Sequence, residues 1–213
     1  MGQIQVIPSR RLIRKEATRR DLMQAGRKLF SRKGLYESRI EDLTESAGIA
    51  KGTLYLYFRN KEELIREVTA AGYDDLREHV TRHLGRARTT SGLVRAIVKA
   101  HLEFFADHPD LVRIFHQVRG MLKFQRREWR SLSVPLEGHV RFLADVLSRA
   151  TRPPGNARER RRLAIQIYGT VSGVTSVQIA LDGRIDLRGM LSKGTMPQPR
   201  PRRLRRRRTG SAR

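Results

Sequence analysis

The sequence predicts an all-α protein, and three observations carry the prediction. Apolar residues recur at steps of three and four along most of the 213-residue chain, the spacing that lines one face of a helix. No stretch shows the two-residue alternation of a half-buried strand, and no strand–helix alternation or internal repeat is visible. Glycine and proline fall in the gaps between the apolar stripes, where helices stop.

Leu22, Ala25, Leu29 and Phe30 form the first stripe, with Gly34 as a natural stop just beyond it. Ile40, Leu43 and Ala47 are spaced for one face of a short helix, and Leu54 and Phe58 repeat that spacing further on. Leu64, Val68, Ala71, Leu76, Val80 and Leu84 extend over about five turns. Leu93, Ile97, Ala100 and Phe104 make the next stripe, Pro109 interrupts it, and Leu111, Ile114, Phe115 and Val118 restart it. Leu136, Val140, Leu143, Leu147 and Ala150 step alternately by four and three, a short coiled-coil-like seam. The run from Thr151 to Asn156, with two prolines and a glycine, breaks the chain. A last long helix carries Leu163, Ile167, Val171, Val174, Gln178 and Leu181.

Charge narrows the partner. There are 45 Lys plus Arg against 21 Asp plus Glu, a formal net charge of +24, which points to DNA, RNA or an anionic membrane surface. Both ends contribute: six basic residues and one acid lie in the first twenty positions, and eight arginines with no acid lie in residues 194–213. That Pro-interrupted Arg run has almost nothing to bury and repels itself, so it is expected to be a disordered tail. Cysteine is absent, which excludes disulfides, thiolate metal sites and cysteine nucleophiles. No apolar run approaches the ~20 residues that span a bilayer, and the first twenty residues lack a secretory h-region. The cytoplasm is the expected location.

The segment from Ile40 to Phe58 carries the function. Gly48 supplies a tight turn between two short helices, Ile49 fills the corner, and the second helix begins near Lys51. Two helices joined by a glycine-containing turn make a helix-turn-helix, whose second helix reads base edges in the major groove. Lys51 suits guanine acceptors, Thr53 a base or a phosphate, and Tyr57 a phosphate oxygen. Lys61 opens the following helix, where a cation and free backbone N–H groups suit one more phosphate. The hairpin, the basic surplus and the basic helix from Thr18 to Lys33 point together to DNA.

Residues Ala47-Gly48-Ile49-Ala50-Lys51-Gly52-Thr53-Leu54-Tyr55-Leu56-Tyr57-Phe58-Arg59-Asn60-Lys61-Glu62-Glu63-Leu64 resemble the DNA-binding signature of the TetR family of bacterial transcription regulators, and the resemblance covers roughly 18–66. It implies a three-helix DNA-binding domain followed by a helical ligand-binding and dimerisation domain, in a homodimeric repressor released from its operator by a small-molecule effector. On that template residues 1–17 are a basic N-terminal arm, 18–64 the helix-turn-helix domain, 65–193 the helical ligand-binding and dimerisation domain, and 194–213 the Arg/Pro-rich tail. Lys51, Gly52 and Thr53 match positions that approach bases, and Tyr55, Tyr57 and Lys61 match positions that mostly touch phosphates. Ser38 matches a position that caps the second helix and binds a phosphate. Three residues depart from the family pattern: Arg39 replaces a small Ser or Thr and adds a phosphate or base contact. Ala50 replaces a capping Ser, a loss worth ~1 kcal/mol. Leu56 replaces a polar or aromatic residue.

The resemblance places an effector pocket around His101, Phe104, Phe105, Phe115 and Tyr168, lined for an apolar or amphipathic molecule. The dimer axis is expected between helices near 132–150 and 158–181. His79 and His83, four apart with Asp75 one turn earlier, have a metal-binding spacing, but with no second ligand pair they read as a solvated helix face. Nothing like a nucleophile elbow occurs. The expectation is therefore a non-enzymatic regulator with no cofactor or metal and no membrane partner. The alternative is a non-specific nucleic-acid-binding protein acting through basic arms.

Overall fold

The computed structural model describes residues 10–124 and 126–186, which form eight α-helices and one 3-10 turn with no strand among them. The order is α1 (Arg10–Lys33), α2 (Ile40–Ser46), α3 (Lys51–Tyr55), α4 (Lys61–His83), α5 (Thr90–Asp107), α6 (Pro109–Lys123), the 3-10 turn (Arg127–Leu132), α7 (Ser133–Ser148) and α8 (Ala157–Asp182). The expected all-α architecture is what the chain adopts. α1 starts at Arg10, so residues 10–17 of the expected arm are helical. Residues 1–9 and the 194–213 tail lie outside the described residues.

The breaks have local causes. Gly48 sits at φ +62 between α2 and α3, a left-handed conformation that costs glycine little. Pro109 occupies the first turn of α6, where its missing N–H is no loss. Asn60 Oδ1 accepts the Glu63 N–H at 2.8 Å to start α4, and Asn156 with Glu159 closes a reciprocal capping box at the start of α8.

Two cores share the long helices. One joins Leu22 and Phe30 of α1 to Leu43, Leu54 and Phe58, and also takes in Leu64, Ile65 and Val68 of α4, Ile114 and Val118 of α6, and Trp129. The other joins Tyr73, Leu76 and Val80 of α4 to α5, the first half of α6, α7 and α8. α4 and α6 therefore belong to both. They cross closely at Gly72, where a Cβ would lie 2.7 Å from Leu111 Cδ2 and 3.1 Å from the Phe115 ring. α7 and α8 pack along one another, with Leu143 fully buried, while Val174 and Leu181 of the last stripe are 41% and 78% exposed.

Candidate nucleic-acid interface

The helix-turn-helix is fastened from below. Leu54 and Phe58 are buried against α1 and α4, and the Ile49 N–H donates to the Thr44 carbonyl at 3.0 Å to close the turn. That anchoring leaves Lys51, Gly52, Tyr55 and Leu56 exposed on the outer side, with Thr53 and Tyr57 half-buried beside them. A Cβ at Gly52 would meet nothing within 4 Å, so packing inside the subunit does not require a glycine there. Ala50 holds the cap position of α3 with no side-chain hydrogen bond, as its departure from Ser implies. Tyr57 lies just past the end of α3 and packs partly on the core.

Electrostatics organise the exposed side. Lys51 Nζ donates to Glu41 Oε1 at 2.5 Å, linking α3 to α2. That hydrogen bond lowers the Glu41 pKa and raises that of Lys51. Asp42 is likewise held low by its bonds to Lys33 Nζ, 2.8 Å, and to the Arg39 N–H, 2.9 Å. Arg39 itself is exposed and occupies the cap position of α2. Ser38 is buried, and its hydroxyl donates to the Gly34 carbonyl at 2.5 Å, away from the start of α2. The start of α2 is instead held from inside the helix, by Asp42 accepting the Arg39 N–H. Lys61 Nζ donates to the Tyr36 carbonyl at 3.3 Å, and partial burial lowers its pKa.

A second feature lies away from this face. Between α6 and α8 a groove of about 590 Å³ opens, with Val112, Val177, Ile179 and Ala180 as apolar walls and Arg113, Arg119 and Lys123 as cations. Arg119 spans it, donating to Tyr168 Oη and Ser176 Oγ, both at 3.3 Å. Gln117 lines the groove too, and its Oε1 accepts the Leu35 N–H at 2.6 Å, just beyond α1.

Residues 22–68, the helix-turn-helix with its flanking helices, match the family described as bacterial regulatory proteins, tetR family. That segment is a TetR-family DNA-binding domain. The chain is a DNA-binding regulator of transcription. Among its relatives, the fatty acid metabolism regulator protein of Bacillus subtilis is 22% identical over 169 residues, spanning 78% of this chain and 86% of that one. The fold agrees with that of the transcriptional regulator FadR from Bacillus subtilis in complex with stearoyl-CoA. The TM-score is 0.66 and the identity 19%, covering 80% of this chain and 92% of that one. It agrees also with AibR in complex with isovaleryl coenzyme A and operator DNA, with a TM-score of 0.59 and 16% identity over 81% and 92% of the two chains.

In this regulator the five residues expected to form the pocket all sit in the core. His101 and Phe105 are buried, as are Phe104, Phe115 and Tyr168. Tyr73 stacks on Phe115 with centroids 4.1 Å apart and shares a 2.6 Å hydroxyl contact with Tyr168. His101 Nε2 meets His139 Nε2 at 3.0 Å, and burial lowers the His101 pKa to about 4. The groove lies one layer out, and Arg119 joins it to that cluster through Tyr168. Sequence reasoning missed the groove because its cations fall between the apolar positions of α6. No described helix is long and apolar enough to cross a membrane.

Proposed function

We propose that the protein is a homodimeric repressor that is released from its operator by an amphipathic anion, with long-chain acyl-coenzyme A as the fitting class. The observation that carries the ligand class is the α6–α8 groove, which sets apolar walls beside Arg113, Arg119 and Lys123. An acyl chain removes the walls from water, and a phosphorylated head takes the cations. The complexes of the fold relatives with acyl-coenzyme A support the same class.

Dimerisation is supported by α8. Ile165, Val174 and Leu181 are exposed, and Gly169 among them leaves room for a second helix. A two-fold pair would place Lys51, Gly52 and Thr53 over bases in successive major grooves, about 34–36 Å apart. Arg39, Tyr55, Tyr57 and Lys61, with Ser38 behind them, would hold phosphates. Residues 18–64 act as the reading unit and 65–193 as the sensing and pairing unit. The protein works in the cytoplasm, where its DNA is, and catalyses nothing.

Gln117 supports the coupling, because one side chain both lines the groove and holds the backbone at the end of α1. A ligand that prefers the released geometry shifts the equilibrium by its differential affinity. Operator selection on random duplexes at physiological salt, followed by titration with stearoyl-coenzyme A, stearate and coenzyme A, tests the proposal. The acyl thioester should release DNA at lower concentration than either part alone. Release only by highly polar metabolites overturns the ligand class, and equal affinity for all duplexes overturns the repressor.

A further inference from the structure

α4 and α5 run side by side after a short turn, and their facing sides bring together a group that the DNA and effector sites do not use. One ligand atom from each of His79, His83 and Glu103 lies within 4.8 Å of the other two. His79 and His83 stack with centroids 4.1 Å apart on α4, and Glu103 comes from α5. The packing of α5 on α4 brings in the third ligand, which the local sequence around the histidines does not contain.

Two further observations fit a cation. His83 Nδ1 lies 2.7 Å from the His79 carbonyl oxygen. A carbonyl only accepts, so Nδ1 donates and Nε2 is the nitrogen left for a metal. His79 Nε2 is buried and has no hydrogen-bond partner among the described residues, an arrangement that costs free energy unless something fills it.

We propose that His79, His83 and Glu103 bind a divalent cation of the zinc class. Two imidazoles and a carboxylate suit Zn²⁺ in tetrahedral coordination, with water or Asp107 as the fourth ligand. Ligand atoms on one zinc lie about 3.3 Å apart, given bonds of about 2.0 Å, so side chains now within 4.8 Å of one another close in by up to about 1.5 Å. His83 is exposed and free to do so, and Glu103 exchanges its 3.6 Å ion pair with the exposed Lys99 for the metal. The bound ion would clamp the far end of α4 to α5.

Untagged full-length protein, stripped with chelator, is titrated with Zn²⁺ against a chromogenic competitor and separately with Co²⁺, whose visible absorption reports tetrahedral geometry. The wild type should take up one equivalent per chain. His83→Ala and Glu103→Gln should each weaken Zn²⁺ at least ~10-fold and lose the Co²⁺ band, with unchanged far-ultraviolet circular dichroism. Absence of uptake at micromolar Zn²⁺ overturns the site. Wild-type affinity in His83→Ala does the same and moves the binding to other histidines. An unchanged Glu103→Gln removes the carboxylate from it.

Discussion

Arg27 of α1 grips Asp110 of α6 with two hydrogen bonds, Nε to Oδ2 at 2.5 Å and Nη2 to Oδ1 at 3.1 Å. The pair joins the helix that supports the DNA-binding unit to the helix that walls the groove. Burial raises the Asp110 pKa, but the Arg27 bond and charge outweigh it and leave the carboxyl below its ordinary value. A lowered folded pKa means that the stabilisation is present above the unfolded value, near 3.8, and is lost as pH falls through the folded one. Both side chains keep about a third of their exposure, so Asp110→Asn should cost only about 1 kcal/mol. Denaturant melts at pH 7 should show that difference, and it should shrink below pH 3.8. An equal difference at both pH values would mean that the carboxylate charge is not its source.

The Lys51–Glu41 bond predicts opposite effects from its two partners. Lys51→Ala should cost ~1–3 kcal/mol on the preferred operator and relax the preference at one base pair. Glu41→Gln should tighten DNA binding, because it removes an acid from the face and frees the lysine. Lys61→Ala should weaken all duplexes about equally, as a phosphate contact does. A Lys51→Ala loss that is uniform across sequences would reassign that side chain to the phosphates.

Gly52→Ala separates folding from binding. Nothing in the subunit meets the added methyl, and alanine favours helix over glycine by up to ~1 kcal/mol. The melting temperature should therefore hold or rise while operator affinity falls, because the methyl intrudes where backbone approaches DNA. Unchanged affinity would show that α3 does not come that close.

Pairing through α8 is tested by Val174→Glu. Val174 is 41% exposed and lies outside the groove lining, so the monomer should stay folded while light scattering reports monomers and operator binding drops. Leu143→Glu is the contrast: its side chain is wholly buried in the subunit, and an unpaired charge there should cost more than ~4 kcal/mol. A Val174→Glu protein that remains dimeric would move the interface off α8.

The helices were legible because their inward faces repeat every three or four residues, as Leu93, Ile97, Ala100 and Phe104 do. The reading face was legible because Gly48, Lys51 and Leu54 lie close together in sequence and their spacing alone orients them. The groove was not. Its walls come from residues 112–123 and 173–180, and only the packing of α6 on α8 brings these segments together. Aromatic composition also does not distinguish a packed core from a lined cavity, so Phe104, Phe105 and Phe115 signal apolar surroundings without saying whether they enclose space. Glu103 was hidden for the same reason, one helix away from the histidines it joins.

The sharing of α4 between the two cores has a thermodynamic consequence. Leu64, Ile65 and Val68 are locked into one cluster, and Tyr73, Leu76 and Val80, a few turns on in the same helix, into the other. Fraying either end of that helix strips apolar cover from its half, and the backbone hydrogen bonds transmit the loss to the next turn. The reading unit and the sensing unit should therefore melt in one calorimetric transition. The amides of residues 64–80 should be among the slowest to exchange with deuterated water, with opening energies near that of global unfolding.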